Sequence, residues 1–295
     1  MYPASFEYLA PTTLDDAIAP LDAHGDDGKV LAGGQSLIPL MKLRFAAPAV
    51  LVDINGVADL NDSITTADGG LTIGARVRHK DCERSEHLKG RYAMLGRAAP
   101  QISDPIVRNH GTVCGSLAHA DPQGDWASVM LAAGAEVTIR GPGGATRTSS
   151  IDDLMTGPFM TTLEPNELIT EVHVPDPGPG ASGTYLKLER KIGDFATVGV
   201  AVQVSLANGT VSRAGIALTG VGPTNMRARA AEEALVGRAP DEAAIKDAAR
   251  LAAEAAHPRD DVRGTAEFKR SVVRVYTERG LRQAVAEAQA GQEGG

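Results

Sequence analysis

Cysteine is scarce in this sequence: Cys82 and Cys114 are the two among 295 residues. They supply neither a disulfide framework nor a Cys-x-x-Cys pair, so an iron–sulfur cluster of the chain's own is not expected. Long apolar runs are missing as well, and without roughly 18 consecutive apolar residues no membrane-spanning helix is expected. The opening Met1-Tyr-Pro-Ala-Ser-Phe-Glu7 has no basic start followed by an apolar stretch. No secretory signal is visible there, and the cytoplasm is the expected compartment. Basic charge is in deficit, with 29 Lys and Arg against 37 Asp and Glu and a formal net charge of -8. A nucleic-acid or anionic-membrane surface would need a basic patch, so a small molecule or another protein is the expected partner. Aromatic residues reach only 4%, and the many Ala, Gly and Val residues point to closely packed small-residue helices and strands.

What is present is an ordinary globular composition, 43% hydrophobic and 22% charged, in a chain long enough for two domains. Residues 12–24 read as a helix, with Thr13 and Asp16 at capping-box spacing. A strand at residues 29–32 runs into Gly33-Gly34, and a short helix follows from Leu37, with Pro39 in its first turn. Residues 50–54, 71–75 and 136–140 read as strands, and a helix begins near Asp125 and ends at Gly134. Between them, residues 103–116 are glycine-rich and polar. Residues 174–183, with three prolines and three glycines, read as the linker between domains. Beyond it, Asn208-Gly209 between two β-rich runs predicts a hairpin with a type I′ turn, and three alanine-rich helices follow at residues 228–235, 241–256 and 265–289.

Ala32-Gly-Gly-Gln-Ser36 lies between an expected strand and an expected helix. Adjacent glycines let backbone N–H groups approach an anion, a feature suited to a pyrophosphate. An isolated Gly-Gly is more often a tight turn that binds nothing. A second loop, Gly111-Thr-Val-Cys-Gly-Ser116, changes the balance, because two such loops can clamp one dinucleotide from both sides. The Rossmann fingerprint and the Gly-Lys-Ser/Thr phosphate loop are both absent. So are metal-ligand spacings and a Gly-x-Ser-x-Gly elbow; of the seven histidines, His119 is the one inside a motif.

Longer stretches carry a resemblance. Val30-Leu-Ala-Gly-Gly-Gln-Ser-Leu-Ile-Pro-Leu-Met-Lys-Leu-Arg44 and Gly111-Thr-Val-Cys-Gly-Ser-Leu-Ala-His-Ala-Asp-Pro-Gln-Gly-Asp125 are similar to the two FAD-binding signatures of the flavin subunits of molybdenum hydroxylases, the carbon monoxide dehydrogenase and xanthine dehydrogenase family. Further similarity lies in residues 187–201, Gly222-Pro-Thr and Arg263-Gly264, so the resemblance covers nearly the whole chain. It implies an α+β fold: a two-lobed FAD-binding domain of the vanillyl-alcohol oxidase (PCMH) type at residues 1–176, then a small antiparallel sheet with helices at residues 181–289. It implies that FAD is held by Ala32, Gly33, Gly34, Gln35, Ser36 and Leu37 and by Gly111, Thr112, Val113, Cys114, Gly115 and Ser116. Asp125 is expected at a sugar hydroxyl or the adenine end, or as the N-cap of its helix. Ile102 and Ile169 align with positions that pack on the cofactor, although core packing accounts for a buried Ile equally well. Lys187 aligns with a flavin-side lysine whose charge favours the anionic reduced ring. Phe195 aligns with an aromatic that covers one ring face, or is simple core.

Two departures stand out. Gln35 replaces the more usual His, and Cys114 replaces a glycine, so the second loop needs a backbone that accepts a β-carbon. By resemblance the chain is an electron relay, with a molybdenum cofactor in a large partner subunit and [2Fe-2S] clusters in a small one, as a dimer of heterotrimers. Two rivals stay open. A stand-alone FAD oxidoreductase predicts a general base near the flavin, and a cofactor-free structural subunit predicts degenerate loops. The substrate of the complex and the electron acceptor are not written in this chain.

Overall fold

The computed structural model describes residues 2–67 and 69–293, the side chains of residues 292 and 293 excepted. Thr13 opens the first helix, Leu14–His24, its hydroxyl accepting the Asp16 N–H at 3.2 Å. Leu14, Ala17, Ile18 and Leu21 recur at helical spacing and are buried. They pack with Val50, Val52 and Ile54 against a parallel sheet of Glu7–Leu9, Val50–Asp53 and Gly28–Leu31, with Val50–Asp53 in the middle. Gly28–Leu31 ends at the first glycine loop, so the sheet delivers that loop to one edge of the fold.

A second, antiparallel sheet runs in the order Ile64–Ala67, Gly70–Gly74, Leu168–Pro175, Glu136–Arg140, Thr146–Ser150. Leu71, Ile73, Val137, Ile139 and Val172 share one core with Leu95, Leu117, Trp126 and Met130 of the neighbouring helices. Strand Leu168–Pro175 and strand Ala181–Leu188 both intrude into the expected linker, which shrinks to residues 176–180. The prolines there did not forbid pairing, because Pro175 closes its strand where the ladder needs no further donor. The stretch at residues 103–116 is also more regular than its composition suggests. It holds helix Pro105–Arg108 and the start of helix Val113–His119.

The third sheet is antiparallel, in the order Ala181–Leu188, Val198–Ala207, Thr210–Thr219, Met226–Arg227. Asn208 and Gly209 have φ of 52 and 75, as a type I′ turn requires at both central residues. Strand Val198–Ala207 is buried on both faces, and its alternation explains how. Val198, Val200, Val202 and Val204 face helices Arg229–Leu235, Glu242–Ala255 and Ala266–Glu293, in a core of their own. The small Ala201, paired with Ala217, belongs to the first core together with Trp126. The expected α+β architecture is therefore the one observed, and the C-terminal sheet is packed flush against the helix Asp125–Ala133 that borders the site.

Candidate functional site

A cavity of about 570 Å³ is walled by both halves of the chain, with Lys187, Gly193, Asp194 and Phe195 supplied by the C-terminal part. Its size falls in the range of small-molecule sites. The two glycine loops touch each other in its wall. A Cβ on Gly33 would lie 2.3 Å from the His110 carbonyl oxygen and 2.6 Å from Gly111 Cα. Neither neighbour is the tip of a flexible side chain, so any residue but glycine at 33 must separate the loops.

Side chains brace this junction. Asn55 Nδ2 donates to the Ala32 carbonyl at 2.9 Å, and the Arg78 guanidinium donates to the His110 carbonyl and to Asn55 Oδ1. One relay thus fixes a carbonyl in each loop. Thr112 caps helix Val113–His119, its hydroxyl accepting the Gly115 N–H at 3.1 Å. Cys114 is therefore the second residue of a helix, where a β-carbon costs nothing, and the departure from glycine is accommodated. Its thiol is buried, and burial, with Glu171 adding to it, pushes the thiol up to about 12. A thiol so firmly protonated is a packing group and not a nucleophile.

Asp125 is the first residue of helix Asp125–Ala133, and Gly124 is its N-cap, so the expectation of an Asp125 cap is corrected. The side chain turns inward: Tyr185 Oη donates to Oδ1 at 2.6 Å and Lys187 Nζ to Oδ2 at 3.0 Å. Lys187 also donates to the Gln101 carbonyl at 2.8 Å and lies 3.6 Å from Glu189. Burial pushes the Asp125 carboxyl above its ordinary range, opposed by Lys187 and by both hydrogen bonds. The Lys187 charge, expected at the flavin side, is paired with this carboxylate.

At the mouth, Phe195 is half exposed, and its N–H donates to Asp194 Oδ1 at 2.8 Å. Arg263 grips the same oxygen at 2.9 Å, tying the Phe195 segment to the start of the long terminal helix. His119 lines the cavity and packs on Phe159 in a tilted contact, ring centroids 5.2 Å apart and planes at 50°.

Of the expected residues, Ala32 to Leu37, Ile102, Gly111, Thr112, Gly115, Ser116, Asp125, Lys187 and Phe195 line this cavity. Val113, Cys114 and Ile169 do not; their side chains are buried in the first core, and the Val113 N–H is spent on the Val77 carbonyl at 3.2 Å. Helical periodicity decides the first two, since Thr112, Gly115, Ser116 and His119 recur at i, i+3, i+4 and i+7 on the cavity side and leave Val113 and Cys114 to the core. Asn55, Arg78 and His79 were not anticipated. No motif marks them, because they reach the loops across 23 to 32 residues of sequence.

Comparison with known proteins resolves the family. Residues 4–177 match the model of the FAD binding domain in molybdopterin dehydrogenase, and residues 183–284 match the CO dehydrogenase flavoprotein C-terminal domain. The chain belongs to the FAD-binding medium subunits of the molybdenum hydroxylases. It is 40% identical to the carbon monoxide dehydrogenase medium chain of Hydrogenophaga pseudoflava, over 95% of this chain and 97% of that one. It is 37% identical to the 6-hydroxypseudooxynicotine dehydrogenase complex subunit alpha of Paenarthrobacter nicotinovorans, over 97% and 96% of the two chains. Among solved structures, carbon monoxide dehydrogenase from Hydrogenophaga pseudoflava superposes with a TM-score of 0.93 at 42% identity, covering 97% of this chain and 99% of that chain. Quinoline 2-oxidoreductase from Pseudomonas putida 86 gives 0.89 at 33% identity, covering 98% and 99%. This medium subunit is thus an oxidoreductase subunit of a FAD-binding family. Its cavity suits the cofactor on its own evidence, since the glycine backbone of both loops, the hydroxyls of Ser36, Thr112 and Ser116, and the apolar Ile102 and Phe195 line one space of about 570 Å³. Among the described residues no helix is long and apolar enough to cross a membrane, and no group of three or more His, Cys, Asp or Glu could hold a metal.

Proposed function

We propose that this chain is the electron-relay subunit of a molybdenum-containing hydroxylase, taking electrons from iron–sulfur clusters of a small partner and passing them to an external acceptor. The observation that carries the reading is the joint cavity: both glycine loops, the buried Asp125–Lys187 pair and the exposed Phe195 surround one space. Residues 32–37, Gly111, Thr112, Gly115 and Ser116 would hold the diphosphate and its neighbouring hydroxyls, Asp125 and Lys187 would meet polar atoms of the cofactor, and Ile102 and Phe195 would pack on its apolar faces. Bound FAD supplies one- and two-electron redox chemistry. The chain's own work is to hold it, shield its interior end from water and leave its edge at the Phe195 mouth accessible. A division at residues 176–181 fits these roles, residues 1–176 gripping the cofactor and residues 181–289 closing over it. A large molybdenum subunit and a small [2Fe-2S] subunit, assembled as a dimer of heterotrimers in the cytoplasm, complete the reading. No nucleic acid enters it.

The test is to purify the native protein with its neighbours, record the flavin spectrum, and assay molybdenum and iron in the co-purifying material. The relay reading expects flavin in this chain with both metals in its partners. Yellow protein that purifies alone and turns over a donor by itself contradicts it.

A further inference from the structure

His79 is only 5% exposed and lines the cavity. Its backbone N–H donates to the Gly111 carbonyl at 3.0 Å, and its Nδ1 accepts the Trp126 Nε1–H at 3.0 Å. An accepting Nδ1 is unprotonated, so the neutral ring carries its proton on Nε2. Nothing among the described residues accepts from Nε2, which stands where the glycine loops meet: a Cβ on Gly111 would lie 2.6 Å from it. His79 lines the cavity, so this N–H is open to an acceptor there while the rest of the ring is buried.

The charges around it sharpen the assignment. No arginine lines the cavity, Lys187 is paired with Asp125, and Asp121, Glu164 and Glu167 are part of the wall. Lys29 also lines the cavity and Arg78 sits behind the junction on the His110 carbonyl, so the side-chain donor offered at the junction itself is the neutral His79 ring. His79 is held neutral, because burial first, then Arg108 and Arg78, push it down to about 4.

We propose that His79, held in its Nε2–H tautomer by Trp126, donates that proton to the diphosphate of FAD. This rests on the reading of the cavity as the FAD site. The two halves of the ring can be separated by substitution. His79→Asn keeps an amide oxygen near Nδ1 for Trp126 and loses the Nε2 donor; His79→Gln keeps a donor near Nε2 and loses the acceptor for Trp126. Calorimetric titration of the flavin-free full-length chain with FAD, and separately with ADP, reads the outcome. His79→Asn should weaken both ligands by at least about tenfold with a melting temperature close to wild type, whereas His79→Gln should retain affinity and melt earlier. Wild-type affinity in His79→Asn overturns the proposal, as does a loss confined to FAD with ADP unaffected, which would move the contact off the diphosphate. In the wild-type protein the His79 Nε2 proton resonance should move on addition of ADP; an unmoved resonance also overturns it. The underlying reading has its own control. If Gly33→Val binds FAD as tightly as wild type, the cavity assignment fails whatever His79 does.

Discussion

Asp125 and Lys187 have side chains only 6% and 2% exposed, and each is the principal counter-charge of the other. Removing one partner leaves a buried charge uncompensated, which is far more costly than the pair is stabilising. Asp125→Asn is expected to lower the unfolding free energy by about 3 kcal/mol, measured by urea denaturation. A loss under about 1 kcal/mol would show that Glu189, 3.6 Å away, or water takes over the compensation of Lys187. His79 sets a pH dependence. Its ordinary value of 6.5 drops to about 4 in the folded chain, so between those values the unfolded state binds more protons. Stability should therefore fall as pH is lowered from 6.5 towards 4, by on the order of 3 kcal/mol from this residue. The comparison of wild type with His79→Asn isolates that slope, and equal slopes would contradict the assignment. At this scale the sequence exposed the backbone donors, because glycine pairs are visible locally. It hid Asn55, Arg78 and His79, whose positions depend on strands paired far apart in the chain.

The elements that read clearly were those whose signal is local. The Thr13 cap, the Gly134 helix end and the Asn208-Gly209 turn all follow from side-chain or φ requirements within a few residues. Gly209 tests this directly, since a Cβ there meets nothing within 4 Å while φ stays at +75. Gly209→Ala should cost about 1 kcal/mol through backbone strain alone, visible as a lowered denaturation midpoint; an unchanged midpoint would mean the turn can relax. Two elements were misread for a physical reason. Residues 103–116 form helical turns despite their glycines because Asp104 and Thr112 cap them, their side chains accepting the Val107 and Gly115 N–H groups. Residues 174–183 extend two strands because the sheets on either side supply partners that composition cannot show.

At the scale of the whole molecule, the site belongs to neither half. The glycine loops come from one and Lys187 and Phe195 from the other, while Tyr185, Ala201 and Ala217 complete the core beneath the site. A ligand in this cavity therefore stabilises both parts together. At a free concentration 100 times its dissociation constant FAD should add about 2.7 kcal/mol, and calorimetry should show one transition moving upward as a unit. Two transitions, only one of them shifted, would contradict a shared site. Composition alone gave none of this; the long co-linear motifs did, since their spacing brings two distant loops to one wall. The most direct measurement is the flavin content of the full-length chain reconstituted with FAD, for wild type and Gly33→Val side by side. The account predicts a full equivalent of bound flavin in the wild type and its loss in Gly33→Val with the circular dichroism unchanged. A Gly33→Val chain that keeps its full flavin complement would contradict it.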